Sequence, residues 1–162
     1  ILWQFKREER ASMCLVARVG HGRTFTEYLS RSGVAAEFVE GKVPQEERED
    51  IFERLRTGQL DCVVAMASCV GEGTDLPWLS CVVNATGLRG GGSRTDGDLG
   101  RDIVQFLGRG LRSYPGKKLV DYVDFSDTTN RYLTKASAQR AKVLEGLGYA
   151  EHIKYWSDYE PA

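Results

Sequence analysis

Five residues near the middle of the second half, Arg101, Gln105, Gly108, Arg109 and Arg112, fall along one stripe of a helix at about 100° per residue. Ile103, Val104, Leu107 and Leu111 cluster on the other side, where they can bury against a sheet. The polar stripe therefore carries two guanidinium groups flanking a glycine that leaves room for close approach. Guanidinium is a planar fork that donates to two oxygens at once, which suits a phosphate whose charge grows in a transition state. A plain surface helix with paired arginines has the same pattern, so the other polar segments decide its meaning.

Three such segments precede it. Gly41 to Arg48 joins a strand end to a helix start, where outward-pointing backbone N–H groups suit phosphate, and Gln45 and Arg48 share one helical face. Ala67 to Pro77 holds Gly71 and Gly73, which permit close backbone approach, and Asp75, a carboxylate able to accept from a ribose hydroxyl. Arg18 and the loop Gly20-His21-Gly22 follow an apolar strand. His21 reads as a solvated loop histidine, and His152 has no constellation around it. Tyr149, Tyr155, Trp156 and Tyr159 could stack bases, but a docking tail is the favoured reading.

The elements that must position these groups alternate. Strands are expected at Met13 to Val19, Ala35 to Val39, Asp61 to Met66, Leu79 to Ala85 and Leu119 to Phe125. Helices are expected from Thr24 to Arg31, from Pro44 to about Arg56, over the arginine stripe, and from about Thr129 to Leu144. Strand–helix alternation with several continuously apolar strands implies an α/β three-layer domain, its mainly parallel sheet covered by helices on both faces. In such sheets ligands bind beyond the carboxyl ends of the strands. The loops after Val19, Val39, Met66 and Ala85 are therefore where chemistry is sought. The Gly-rich stretch Gly87 to Gly100 is the one compositional oddity, and disorder is its plainest reading.

A chain of 162 residues fits one domain, and its net charge of −1 argues against wholesale electrostatic capture of nucleic acid. That average hides a basic stretch, since Arg89 to Lys118 holds seven basic against three acidic residues. The four cysteines, Cys14, Cys62, Cys69 and Cys81, form no C-x-x-C pair and have no histidine at ligand spacing. They read as packed thiols of a reducing, cytoplasmic protein. No apolar run reaches membrane-spanning length. The start at Ile1, with exposed-looking Leu2, Trp3 and Phe5, points to a piece of a longer protein, with 1–11 as a connector and 149–162 as a tail.

Taken together, the segments resemble the C-terminal RecA-like domain of superfamily 2 helicases of the DEAD/DEAH type. Gln105-x-x-Gly108-Arg109-x-x-Arg112 resembles their last signature, Gly71 to Pro77 the fifth, Ser12 to Leu29 the fourth, and Gly41-x-x-x-Gln45-x-x-Arg48 with Arg56-Thr57-Gly58 the DEAD-box-type strand contacts. The resemblance implies that Arg109 and Arg112 are arginine fingers and that Gly73, Asp75 and Gln105 touch the nucleotide. It also implies that Arg18, Gln45, Arg48 and Ser68 hold a nucleic-acid backbone, and that no residue here ligates a metal. Ala67 stands where relatives often have Thr, and Glu72 where DEAD-box proteins carry Arg. The likeness therefore leans to the wider translocase group. The ending from Pro115 to Phe125 looks most like phage and bacterial DNA-processing members, which favours DNA over RNA.

The chain has neither a G-x-x-x-x-G-K-[ST] loop nor an Asp-Glu pair after an apolar strand. The resemblance then implies that ATP and Mg2+ are held mainly by an N-terminal RecA-like domain of the same polypeptide, and that this chain alone hydrolyses no ATP. Two other functions fit the same residues: a non-catalytic RecA-like binding or docking module, and a motor domain moving a different polymer.

Overall fold

A computed structural model describes residues 1–70, 75–87, 108 and 112–154. The elements in order are α1 (Leu2–Arg7), β1 (Ser12–Val16), α2 (Val19–Arg31), β2 (Ala36–Val39), α3 (Gln45–Arg56), β3 (Cys62–Met66), β4 (Cys81–Asn84), β5 (Asp121–Asp124) and α4 (Arg131–Leu144). The strands form one sheet in the order β2-β3-β1-β4-β5, and every neighbouring pair is parallel. Outgoing connections diverge between adjacent β1 and β4: the chain leaves β1 toward the β2 edge and leaves β4 toward β5. Ligands of open parallel sheets bind at such a switch point.

Alternation along β1 explains the layers. Met13 and Leu15 point to one face, where they pack with Ile51, Phe52 and Leu55 of α3 and with Val63, Ala65 and Val82 of the neighbouring strands. Cys14 and Val16 point to the other face and meet Phe5 of α1, Leu29 of α2, and Cys62, Val64, Cys81 and Val83. All five residues of β1 are buried, as a central strand covered on both faces must be. The three-layer α/β architecture expected from the sequence is present.

Several boundaries differ from the expectation. The first strand ends at Val16 rather than Val19, because Arg18 is the extended residue (φ −133°, ψ 133°) whose carbonyl accepts from Gly22 N at 3.0 Å. Gly20, His21 and Gly22 are thus the first turn of α2 and not a loop. Two glycines gave no helical signal, yet Gly22 is required there: a Cβ at that position would lie 2.2 Å from Phe38 Cε2. The first residues are helical, and Phe5, read as exposed, is buried at 3% while Trp3 on the opposite side is 54% exposed. β4 and β5 are shorter than expected, and α4 opens at Arg131, with the Asn130 side chain accepting from Tyr132 N and Leu133 N, both at 3.0 Å.

Candidate functional site

Parallel strands bring their carboxyl ends, and the loops that follow, to one edge. Arg18 follows β1, the Glu40–Pro44 loop and the first turn of α3 follow β2, and a tight helical turn, Ala67–Cys69, follows β3. Four of the residues singled out from sequence, Arg18, Gln45, Arg48 and Ser68, therefore sit on the same edge although 50 positions separate the first from the last. Arg18, Gln45 and Ser68 are exposed, and Arg48 is half-buried.

Their partners differ. Arg48 Nε donates to the Val43 carbonyl at 2.8 Å and Nη2 to that of Gly41 at 3.4 Å, so this guanidinium ties the loop after β2 to the helix. Gln45 Nε2 donates to Glu49 Oε1 at 2.9 Å, one turn along α3. Across the loop, Arg23 of α2 pairs with Glu40 at 2.7 Å, which holds α2 against the end of β2. The edge is thus built by side chains that brace backbone turns, leaving helix N–H groups and an arginine facing solvent.

The nucleotide set is described in part. Gly73, Gln105 and Arg109 lie outside the described residues, as does the arginine stripe except Gly108, which is helical and exposed, and Arg112. Arg112 Nη1 meets Asp75 Oδ1 at 2.5 Å, joining the segment after β3 to the segment before β5, 37 residues on. Both side chains are more than half exposed, at 56% and 61%. A carboxylate beside a forked cation on an open surface offers one acceptor for a hydroxyl and several N–H donors for phosphate oxygens. Among the described residues no group of three or more His, Cys, Asp or Glu could hold a metal ion.

One polar cluster escaped sequence reasoning. At the end of β5, Asp124 receives a forked pair from Arg140 of α4, with Nε to Oδ2 at 2.7 Å and Nη2 to Oδ1 at 2.9 Å, and Arg140 Nη2 also reaches the Phe125 carbonyl at 3.2 Å. Beside it, buried Asn84 at the end of β4 accepts from Thr86 Oγ1 at 2.8 Å and Thr86 N at 3.3 Å, which turns the chain out of the sheet. Burial pushes the neighbouring Tyr122 hydroxyl well above its usual range. Asp124 and Arg140 are 16 residues apart, beyond any helical or strand period, so only an aspartate closing an apolar strand hinted at the pair.

Comparison with known proteins places these observations. The model of the helicase conserved C-terminal domain matches residues 2–114. The chain is 28% identical over 139 residues to the UvrABC system protein B of Kosmotoga olearia, covering 86% of this chain and 20% of that protein. It is 30% identical over 142 residues to the same protein of Methanothermobacter thermautotrophicus, covering 86% and 21%. The chain thus spans about a fifth of the length of these curated relatives. Among solved structures, the C-terminal domain of the DEAD-box protein Dbp5 superposes with a TM-score of 0.62 at 20% identity, covering 90% of this chain and 72% of that one. UvsW of T4 does so with 0.63 at 17% identity, covering 90% and 31%. At these identities the structural likeness speaks to the fold alone.

Proposed function

The chain belongs to the helicase conserved C-terminal domain family, and from that premise we propose that it is the second RecA-like motor domain of an ATP-dependent superfamily 2 helicase or translocase. ATP and Mg2+ would be held mainly by an N-terminal RecA-like domain of the same polypeptide. ATP supplies the driving free energy through cleavage of its terminal phosphate. Arg109 and Arg112 close on that nucleotide and donate to phosphate oxygens as their charge grows. Asp75 accepts from a ribose hydroxyl, with Gly73 and Gln105 as further nucleotide contacts. Arg18, Gln45, Arg48 and Ser68 hold one strand by its backbone, with DNA favoured over RNA.

The observation that carries this reading is the Asp75–Arg112 ion pair. It joins the two segments that the resemblance assigns to one nucleotide, and both partners stay open to solvent. The exposed donors at the carboxyl edge of β1, β2 and β3 support the strand contacts, because a backbone lying there meets N–H groups rather than carboxylates.

The test is Arg109→Lys in the full-length protein that carries this domain. Lysine keeps the charge and loses the planar fork. Arginine fingers are worth roughly 10³–10⁵ in rate, so even partial loss lowers kcat about tenfold or more, with a smaller change in strand affinity. Near-normal turnover in a folded variant removes Arg109 from the catalytic set. Absence of any strand-stimulated ATPase in the unaltered protein favours the docking-module reading instead.

A further inference from the structure

At the opposite edge of the sheet, beside the amino ends of β4 and β5, lies a groove of about 480 Å³ that the proposed motor chemistry does not use. Its floor and basic wall are Arg56, Trp78, Tyr114, Lys117, Lys118 and Leu119. The wall is rigid because Tyr114-Pro115-Gly116-Lys117 is a tight turn: Lys117 N donates to the Tyr114 carbonyl at 3.1 Å, and Gly116 takes φ 82°. Lys117 Nζ reaches over to the Pro77 carbonyl, and Arg56 joins the Tyr114 side chain to Glu53. Leu119 is left 55% exposed. Glu8 and Glu9 stand on the other lip, beside Arg10, which is paired with Asp121 at 2.5 Å. The groove therefore offers flat apolar surface flanked by lysines, with its two arginines already sharing carboxylates. That mosaic suits a polypeptide with aromatic and acidic side chains better than the evenly spaced charges of a nucleic-acid strand.

The chain contains such a segment. Residues 155–162, Tyr-Trp-Ser-Asp-Tyr-Glu-Pro-Ala, hold three aromatic rings, two carboxylates and no basic side chain, and lie outside the described residues. The course of α4 carries the chain toward the groove. Leu133 lies against Gly87, beyond the carboxyl end of β4, whereas Arg140, two turns later, grips Asp124 at the strand ends. The helix thus runs back toward the amino ends. β5 has four residues and is roughly 13 Å long, while eight extended residues span up to roughly 26 Å, so the segment can reach. We propose that residues 155–162 dock in this groove, with aromatic side chains on Trp78, Tyr114 and Leu119 and with Asp158 and Glu160 facing Lys117 and Lys118.

The experiment titrates a synthetic peptide of residues 154–162 into two ¹⁵N-labelled chains, one intact and one ending at Lys154, followed by NMR. The expected result is that the peptide shifts the Trp78 indole and the Lys117 and Lys118 amides of the shortened chain. The intact chain should bind at least tenfold more weakly, because its own tethered segment competes at high effective concentration. Lys117→Glu combined with Lys118→Glu should weaken peptide binding about tenfold or more, and a peptide with Asp158→Lys and Glu160→Lys should recover it. No shift at the groove overturns the proposal, as does equal uptake by the two chains. A concentration-dependent dimer that dissolves on Trp156→Ala overturns it in favour of docking between copies. If the shortened chain fails to fold, the Trp156 indole signal of the intact chain decides: it should move on Lys117→Glu with Lys118→Glu, and an unchanged signal overturns the proposal.

Discussion

Gly22 sets how closely α2 approaches β2. The position sits in the first turn of α2, where alanine would ordinarily gain up to about 1 kcal/mol over glycine in helix propensity. Its Cβ would instead fall among the Cε2, Cζ and Cδ2 atoms of Phe38, all within 2.9 Å. Overpacking of that kind costs typically about 1–3 kcal/mol. Gly22→Ala should therefore lower the urea unfolding free energy by about 1–2 kcal/mol, and Phe38→Leu on the same chain should recover part of that loss. Equal stability of Gly22→Ala and the parent would show that the ring swings aside freely. The helix start at Val19 stayed hidden for the same reason. Gly20-His21-Gly22 has the composition of a loop, and only the ring packed against Gly22 reveals why a glycine stands in a helix. By contrast Arg18, Gln45, Arg48 and Ser68 were legible, because residue type and position after an apolar run suffice to place a side chain on the ligand edge of a parallel sheet.

At the scale of elements, the strands could be read because β1 and β3 are short apolar runs bounded by turn residues, and α3 because Pro44 opens it and Gly58 follows it. Their ends were harder to place, since hydrogen-bond register decides them: β4 and β5 pair only from Cys81–Asp121 to Asn84–Asp124, so flanking Leu119 and Phe125, apolar but exposed, drop out. The packing of α4 was not legible at all, since it turns on Arg140, a cation that a helical pattern assigns to solvent. Its side chain is 3% exposed and that of Asp124 is 18% exposed. Removing one partner of a buried pair leaves the other charge without compensation, typically at about 3–5 kcal/mol. Arg140→Met should thus destabilise the domain by several kcal/mol and loosen the end of β5. The double variant Arg140→Met with Asp124→Leu should regain much of it, because apolar replacement of both partners removes the stranded charge. Chemical denaturation of the three variants checks this. A single variant that loses less than about 1 kcal/mol would mean that water reaches Asp124 freely.

Across the whole molecule, the cysteines connect the sheet register to its response to pH. Ser12 stands opposite Cys62 on one side and Cys81 on the other, and Cys14 lies two residues further along the same face. All three thiols are fully buried at the centre of the α2 face. Burial pushes the Cys14 thiol up to about 12 from an ordinary value of about 9, and drives Cys62 and Cys81 up as well, with Cys14 as a neighbouring contributor. In the folded protein these groups keep their protons well above pH 9, whereas in the unfolded chain they ionise from about pH 9. Between those limits the unfolded state binds fewer protons, so stability is fully present below about pH 8 and falls as pH rises. Each thiol contributes a slope of about 1.4 kcal/mol per pH unit in that window, so three of them lose several kcal/mol by about pH 10–11. That is a large part of the roughly 5–15 kcal/mol typical of a folded domain. Tyr122 acts in the same direction at higher pH, since burial raises its hydroxyl too. Urea denaturation from pH 7 to 10.5 should show this decline, and a variant with Cys14, Cys62 and Cys81 all changed to Ala should start less stable but fall with a visibly shallower slope. Parallel pH profiles for the two proteins would show that the alkaline loss comes from the surface lysines and tyrosines rather than from the thiols at the centre of the sheet.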